Sequence, residues 1–149
     1  TYRYSTLIHM SPDHASSRFT TFFQVHQWMD DACECGAPVM LSFHDNNRVW
    51  LRTLNGYHTH SKRYIPGWSR ADFEDKWVEV AVDIVTKELG PSDMRLYLGG
   101  QLVYEGKTLL QQGGELHFKT GIYCDVEQTG TNPVDRVYAR DPRLAVLAQ

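Results

Sequence analysis

Trp77-Val78-Glu79-Val80-Ala81-Val82-Asp83-Ile84-Val85 alternates with a period of two: Val78, Val80, Val82 and Ile84 point one way, Glu79, Ala81 and Asp83 the other. Such a run predicts a β-strand with one buried face. The same signature recurs at residues 2–10, 20–26, 39–44, 48–53, 94–98, 101–104, 116–124 and 134–138, whereas helical periodicity is nearly absent. Turn-forming residues separate the runs: Asp45-Asn46-Asn47, Asn55-Gly56, Gly90-Pro91-Ser92-Asp93, Gly99-Gly100 and Gly113-Gly114. Gly99-Gly100, between Leu96-Tyr97-Leu98 and Gln101-Leu102-Val103, reads as a two-residue hairpin. Nine strands in 149 residues predict an all-β sandwich of the jelly-roll kind, two stacked antiparallel sheets in a single domain spanning residues 1–149. The stretches 28–38 and 56–73 read as long polar loops rich in aromatic residues and histidines, a length associated with function.

Composition narrows the classes. Hydrophobic residues at 42% and charged residues at 22% suit a folded globular chain rather than a disordered one. Fifteen Lys and Arg against 18 Asp and Glu, a net charge of -3, argue against a nucleic-acid binder, so any polyanion must be met by a local patch. No apolar run approaches the ~18 residues of a membrane-spanning helix. The chain opens at Thr1 with neither an initiator Met nor a hydrophobic signal segment, which reads as a trimmed piece. Cys33, Cys35 and Cys124 are too few for a disulfide scaffold and lack paired zinc-ligand spacing. Neither their redox state nor an oligomeric state can be read from the sequence.

Two strands carry candidate chemistry. In Phe22-Phe23-Gln24-Val25-His26, strand geometry puts Phe23 and Val25 on one face and Gln24 and His26 on the other. In Leu116-His117-Phe118-Lys119-Thr120-Gly121-Ile122-Tyr123, His117, Lys119, Gly121 and Tyr123 share a face, and the missing side chain at Gly121 opens a gap between lysine and tyrosine. Taken singly, either motif is also what the wet side of an ordinary strand looks like. A third run, Arg48-Val49-Trp50-Leu51-Arg52, places two carboxylate- or sulfate-binding guanidiniums around a ring on which a sugar can stack. The segment Tyr57-His58-Thr59-His60-Ser61-Lys62-Arg63-Tyr64 adds cations and rings as a groove wall or lid. His58 and His60 have no third convergent ligand, so no metal site is assigned to them.

Gln24-Val25-His26 and Phe118-Lys119-Thr120-Gly121-Ile122-Tyr123 resemble the Gln-x-His and Phe-Lys-x-Gly-x-Tyr strands of jelly-roll polysaccharide lyases, the alginate-lyase and heparin-lyase-I type. The resemblance extends over nearly the whole chain, through residues 2–8, 76–78, 95–103 and 134–138. Nothing matches the Arg-x-Glu strand that this family carries upstream: either N-terminal strands lie outside this chain, or the protein is a reduced form that binds without cutting. The resemblance implies a concanavalin A-like fold and a secreted or extracellular enzyme that cleaves a uronic-acid polysaccharide by β-elimination. In that reaction a base takes the C5 proton beside the carboxylate and an acid protonates the departing O4. Gln24 and His26 would neutralise the carboxylate, with His26 also available as the C5 base. Tyr123, its phenol favoured by Lys119, would serve as acid and base. Arg48, Trp50, Arg52, His58, His60, Lys62, Arg63, Tyr64 and His117 would bind substrate. The reaction requires no cofactor, and a role for calcium is left open because no dedicated acidic loop stands out. The alternative is a non-catalytic, lectin-like sandwich, which would keep Trp50 and the arginines without needing Tyr123. A retaining hydrolase is disfavoured, because its Glu-x-Asp-x-Glu strand is absent.

Overall fold

A computed structural model describes residues 1–11, 19–28, 37–44, 47–56, 59–74, 76–87, 90–110, 115–124 and 136–147. Ten strands form two antiparallel five-stranded sheets. The first runs β10(Val137–Val146), β1(Tyr2–Met10), β6(Val78–Val85), β7(Ser92–Leu98), β8(Gln101–Thr108). The second runs β5(Thr59–Ser69), β4(Arg48–Gly56), β3(Val39–His44), β2(Phe19–Trp28), β9(Glu115–Cys124). The all-β jelly-roll expectation holds.

The core lies between the sheets and is built by the expected alternation. Val78, Val80, Val82 and Ile84 of β6 meet Phe23, Val25, Val39, Leu41, Val49 and Leu51 of the facing sheet, all essentially removed from water. Asp83 is also buried although it points outward, because β6 is flanked on both sides. Arg3, directly across from it on β1, donates to both carboxylate oxygens at 2.6 and 2.7 Å and keeps that burial paired.

Three features depart from the sequence reading. Most of the expected 56–73 loop is strand β5, followed by one helical turn, α1(Ala71–Glu74). β5 is an edge strand with polar residues on both sides. The six residues from Tyr64 to Ser69 span only the three from Trp50 to Arg48 on β4, so no clean alternation is visible in its sequence. The turn α1 delivers Phe73 into the core against Phe22, Phe43 and Trp68 at centroid distances of 5.1 to 6.0 Å. The closing strand begins later and runs further, over Val137–Val146 instead of 134–138.

β2 carries a bulge. Between Thr21 and Phe23 it holds one residue more than β3 and one fewer than β9, where positions 121 and 122 stand against Phe22 alone, and Phe22 and Phe23 both turn inward. Phe22 stacks on Phe43 at 4.4 Å. The extra residue places Thr21 opposite Ser42 on the outer face of the sheet.

Candidate active site

The outer face of the β5-β4-β3-β2-β9 sheet gathers most of the singled-out residues. Gln24 pairs with Lys119 across β2 and β9, and His26 pairs with His117, so all four share that face. Gln24 and His26 are half-buried, and Lys119 and His117 are exposed. Tyr123 occupies the register position opposite Thr21, three residues along β2 from Gln24 and four along β9 from Lys119. Gly121, between them, has φ 151°, and no described side chain lies within 4 Å of where its Cβ would stand.

Two rows of partners continue across the sheet. One runs from Lys119 through Gln24, Met40 and Arg52 to Lys62. The other runs from Tyr123 through Thr21, Ser42 and Trp50 to Tyr64. The Trp50 ring lies 6.1 Å from that of His44 and 6.2 Å from that of Tyr64, and the Arg48 guanidinium sits 5.2 Å over the Tyr64 ring. Arg52 Nη1 approaches Met40 Sδ at 3.8 Å, within reach of a weak sulfur hydrogen bond. His60, opposite Leu54 and two residues before Lys62 on β5, is half-buried.

Electrostatics distinguish this face. Among the described residues Arg48, Arg52, Lys62 and Lys119 form no ion pair, whereas on the other sheet Arg3 is matched by Asp83 and Arg95 by Glu105. The local positive patch that a chain of net negative charge would need for an anionic ligand is therefore here. Burial lowers the pKa of His26 below its ordinary 6.5, and the adjacent Lys119 and His117 push it the same way. Neutral imidazole is thus the favoured form at neutral pH.

Buried polar atoms without a partner concentrate on the same face: Thr21 Oγ1, His26 Nδ1, Ser42 Oγ, Trp50 Nε1 and Arg52 Nε. An unpaired buried polar group costs about 1–3 kcal/mol, and a polar ligand or water reaching it relieves that cost. Ser42 and Met40 were legible from the alternation of β3 had it been read outward from Gln24. Thr21 was not, because the bulge reverses its side.

One expected groove residue lies elsewhere. Arg63 is opposite Leu51, a core position, so it has the inward parity of β5. At the sheet edge it folds over the Tyr104 ring of β8 at 4.7 Å and closes the side of the sandwich instead of lining the groove. His58, Cys33 and Cys35 lie outside the described residues, and Cys124 ends β9.

No family model and no curated protein matches the chain. Its structure is similar to an alginate lyase from Pseudomonas aeruginosa, with TM-score 0.68 and 14% identity over 97% of this chain and 64% of that one. It is likewise similar to alginate lyase AlyC3, with TM-score 0.69 and 12% identity over 97% of this chain and 63% of that one. The binding domain of botulinum neurotoxin serotype D/C also aligns, with TM-score 0.56 and 13% identity over 96% of this chain and 32% of that one. These likenesses establish a concanavalin A-like jelly roll. The chain spans just under two thirds of the length of the two lyases.

Proposed function

We propose that this domain is a polysaccharide lyase acting on a uronic-acid-containing polymer by β-elimination. The observation that carries the reading is the register of β2 against β9, with Gln24 opposite Lys119, His26 opposite His117 and Tyr123 opposite Thr21 on one outward face. An amide, a neutral imidazole and an ammonium thereby meet, with the Tyr123 position on the same face four residues along β9 from Lys119. The fold shared with two alginate lyases supports the same reading.

The chemical obstacle is that a proton beside a carboxylate is barely acidic, since the carbanion places a second negative charge next to the first. Gln24 donates its amide N–H to the carboxylate and Lys119 adds positive charge, so charge developing in the transition state meets preorganised donors. His26, held neutral, accepts the C5 proton when that proton and the departing oxygen lie on opposite faces of the ring. Tyr123 donates its phenolic proton to O4 as the C4–O4 bond breaks and the C4=C5 double bond forms. Where both lie on one face, Tyr123 performs both transfers. The scheme consumes no water and requires no cofactor. Chelation before assay tests whether calcium contributes.

The experiment is an ultraviolet screen for the new C4=C5 double bond over alginate, glucuronan, heparin and hyaluronan. Elimination on at least one polymer is expected. Tyr123→Phe should lower turnover at least ~100-fold, as for removal of a positioned proton-transfer group, with the fold unchanged by circular dichroism. Full activity in that variant overturns the assignment. The second reading, a carbohydrate-binding domain without catalysis, is favoured by the Arg48, Trp50 and Tyr64 platform, which needs no Tyr123. Polymer binding with no absorbance change, equally tight in Tyr123→Phe, would establish it.

A further inference from the structure

Oxidation of a methionine at sulfur turns a flexible apolar side chain into a polar one that carries an acceptor oxygen. The chain has four methionines. Met10 and Met94 are core residues, 0% and 1% exposed, and Met29 lies outside the described residues. Met40 differs from the two core methionines. It is half-buried on the outer face of its sheet, with Gln24 opposite it on β2 and Arg52 opposite it on β4.

Arg52 is placed to respond to such a change. Its Nη1 donates to Met40 Sδ at 3.8 Å, and a thioether is a weak acceptor. Its Nε is buried without a partner, and among the described residues it forms no ion pair. The guanidinium therefore stays available to an anionic ligand. An oxygen added to Sδ in the epimer that faces Arg52 replaces the weak sulfur contact with a hydrogen bond from a cation to a dipolar oxygen. Bonds from a charged donor are roughly twice as strong as neutral ones.

We propose that Met40 is an oxidative modification site whose sulfoxide captures the Arg52 guanidinium and weakens the hold of this face on an anionic ligand. The oxidant is a hydroperoxide, hydrogen peroxide in the simplest case. The sulfur lone pair attacks one peroxide oxygen, and the S–O bond forms as the O–O bond breaks. The departing hydroxide takes up the proton of the transferred oxygen and leaves as water. Sulfur is oxidised by two electrons and the peroxide is reduced by the same two. Methionine sulfoxide reductase returns the thioether, so the change is reversible. The loss of ligand affinity rests on the lyase reading, which places the substrate on this face; the oxidation and the capture of Arg52 do not.

The test treats the folded chain with limiting hydrogen peroxide and reads its peptides by mass spectrometry. One oxygen should appear on the Met40 peptide well before those of Met10 and Met94. Equal rates at all three, or a Met40 that stays reduced until the protein unfolds, overturn the site. Side-chain NMR, with the Arg52 signals assigned by their loss in Arg52→Lys, should show the guanidinium N–H shifted and protected from solvent exchange after oxidation. Treated Met40→Leu, a swap that conserves volume, should show no such change. Arg52 signals unaltered by oxidation overturn the capture. On a polymer that is cleaved, KM should rise about tenfold, as for loss of a hydrogen bond to a charged group, with kcat changed less; on one bound but not cut, the calorimetric Kd should rise equally. Treated and untreated Met40→Leu should match each other, and methionine sulfoxide reductase should restore the oxidised protein. A KM or Kd unmoved once Arg52 is captured overturns the weakening alone. Binding without elimination on alginate, glucuronan, heparin and hyaluronan overturns the lyase reading and leaves this one standing. Neither binding nor elimination on any of them overturns the lyase reading together with the loss of affinity, while the mass and NMR results still decide the modification.

Discussion

His26 is where a single residue's environment matters most. It is half-buried, stands beside Lys119 and His117, and leaves Nδ1 without a partner. Burial and then the two neighbouring charges disfavour its cationic form, so its folded pKa lies below 6.5. If His26 acts as neutral base, activity falls on acidification only below pH 6.5. Lys119→Ala removes one of the lowering charges, so the acid limb of kcat/KM should move upward in pH toward the ordinary histidine value. A profile measured in both proteins checks this, and an unmoved or downward-shifted limb would separate His26 from the titration. At this scale sequence reading placed Gln24, His26, His117 and Lys119 on one face correctly, because alternation within a single strand is a local property. It misplaced Arg63, whose side is set by its pairing with Leu51 and by the Tyr104 ring of the other sheet.

Among the elements, the two-residue turn between β7 and β8 was legible, although β7 starts at Ser92 and β8 runs on to Thr108, beyond the expected 94–98 and 101–104. Leu98 pairs with Gln101, and Gly99 and Gly100 take φ values of 57° and 80°, the left-handed pair that matches strand twist in a two-residue turn. A Cβ at Gly99 would also meet the Trp68 ring at 3.1 Å. Gly99→Ala should therefore destabilise by about 1–2 kcal/mol, read as a lower urea midpoint at unchanged slope. Strand β5 was not legible. An edge strand that carries charge on both sides and is interrupted by Pro66 and Gly67 has the composition of a loop, and only its hydrogen bonds to β4 make it a strand. The β2 bulge was equally hidden, since Phe22 and Phe23 resemble any apolar pair until Phe43 and Phe73 are seen to accept Phe22 in the core.

Over the whole molecule, the sandwich is closed at one end of its core by α1. Phe73 is fully buried against Phe22, Phe43 and Trp68. The turn is anchored by Asp72, which accepts from Ser69 N–H at 2.8 Å and Oγ–H at 3.0 Å, and by the buried Arg70, which pairs with Glu74 at 2.7 Å. Phe73→Ala should cost about 3–5 kcal/mol by leaving a cavity among three rings, measurable as a fall in Tm. Because Phe43 and Phe22 share their strands with the outward-facing Ser42 and Gln24, loosening that cavity should also lower activity near the unfolding range. Sequence by itself determined the all-β class, the inward faces of most strands and the two motif strands, because alternation and turn chemistry act over a few residues. Tertiary structure alone decided that the motifs sit side by side at the edge of one sheet, that β5 extends that face, and that Arg63 leaves it. Those outcomes depend on which strands pair and in what register, and pairing is settled by burial summed over both sheets.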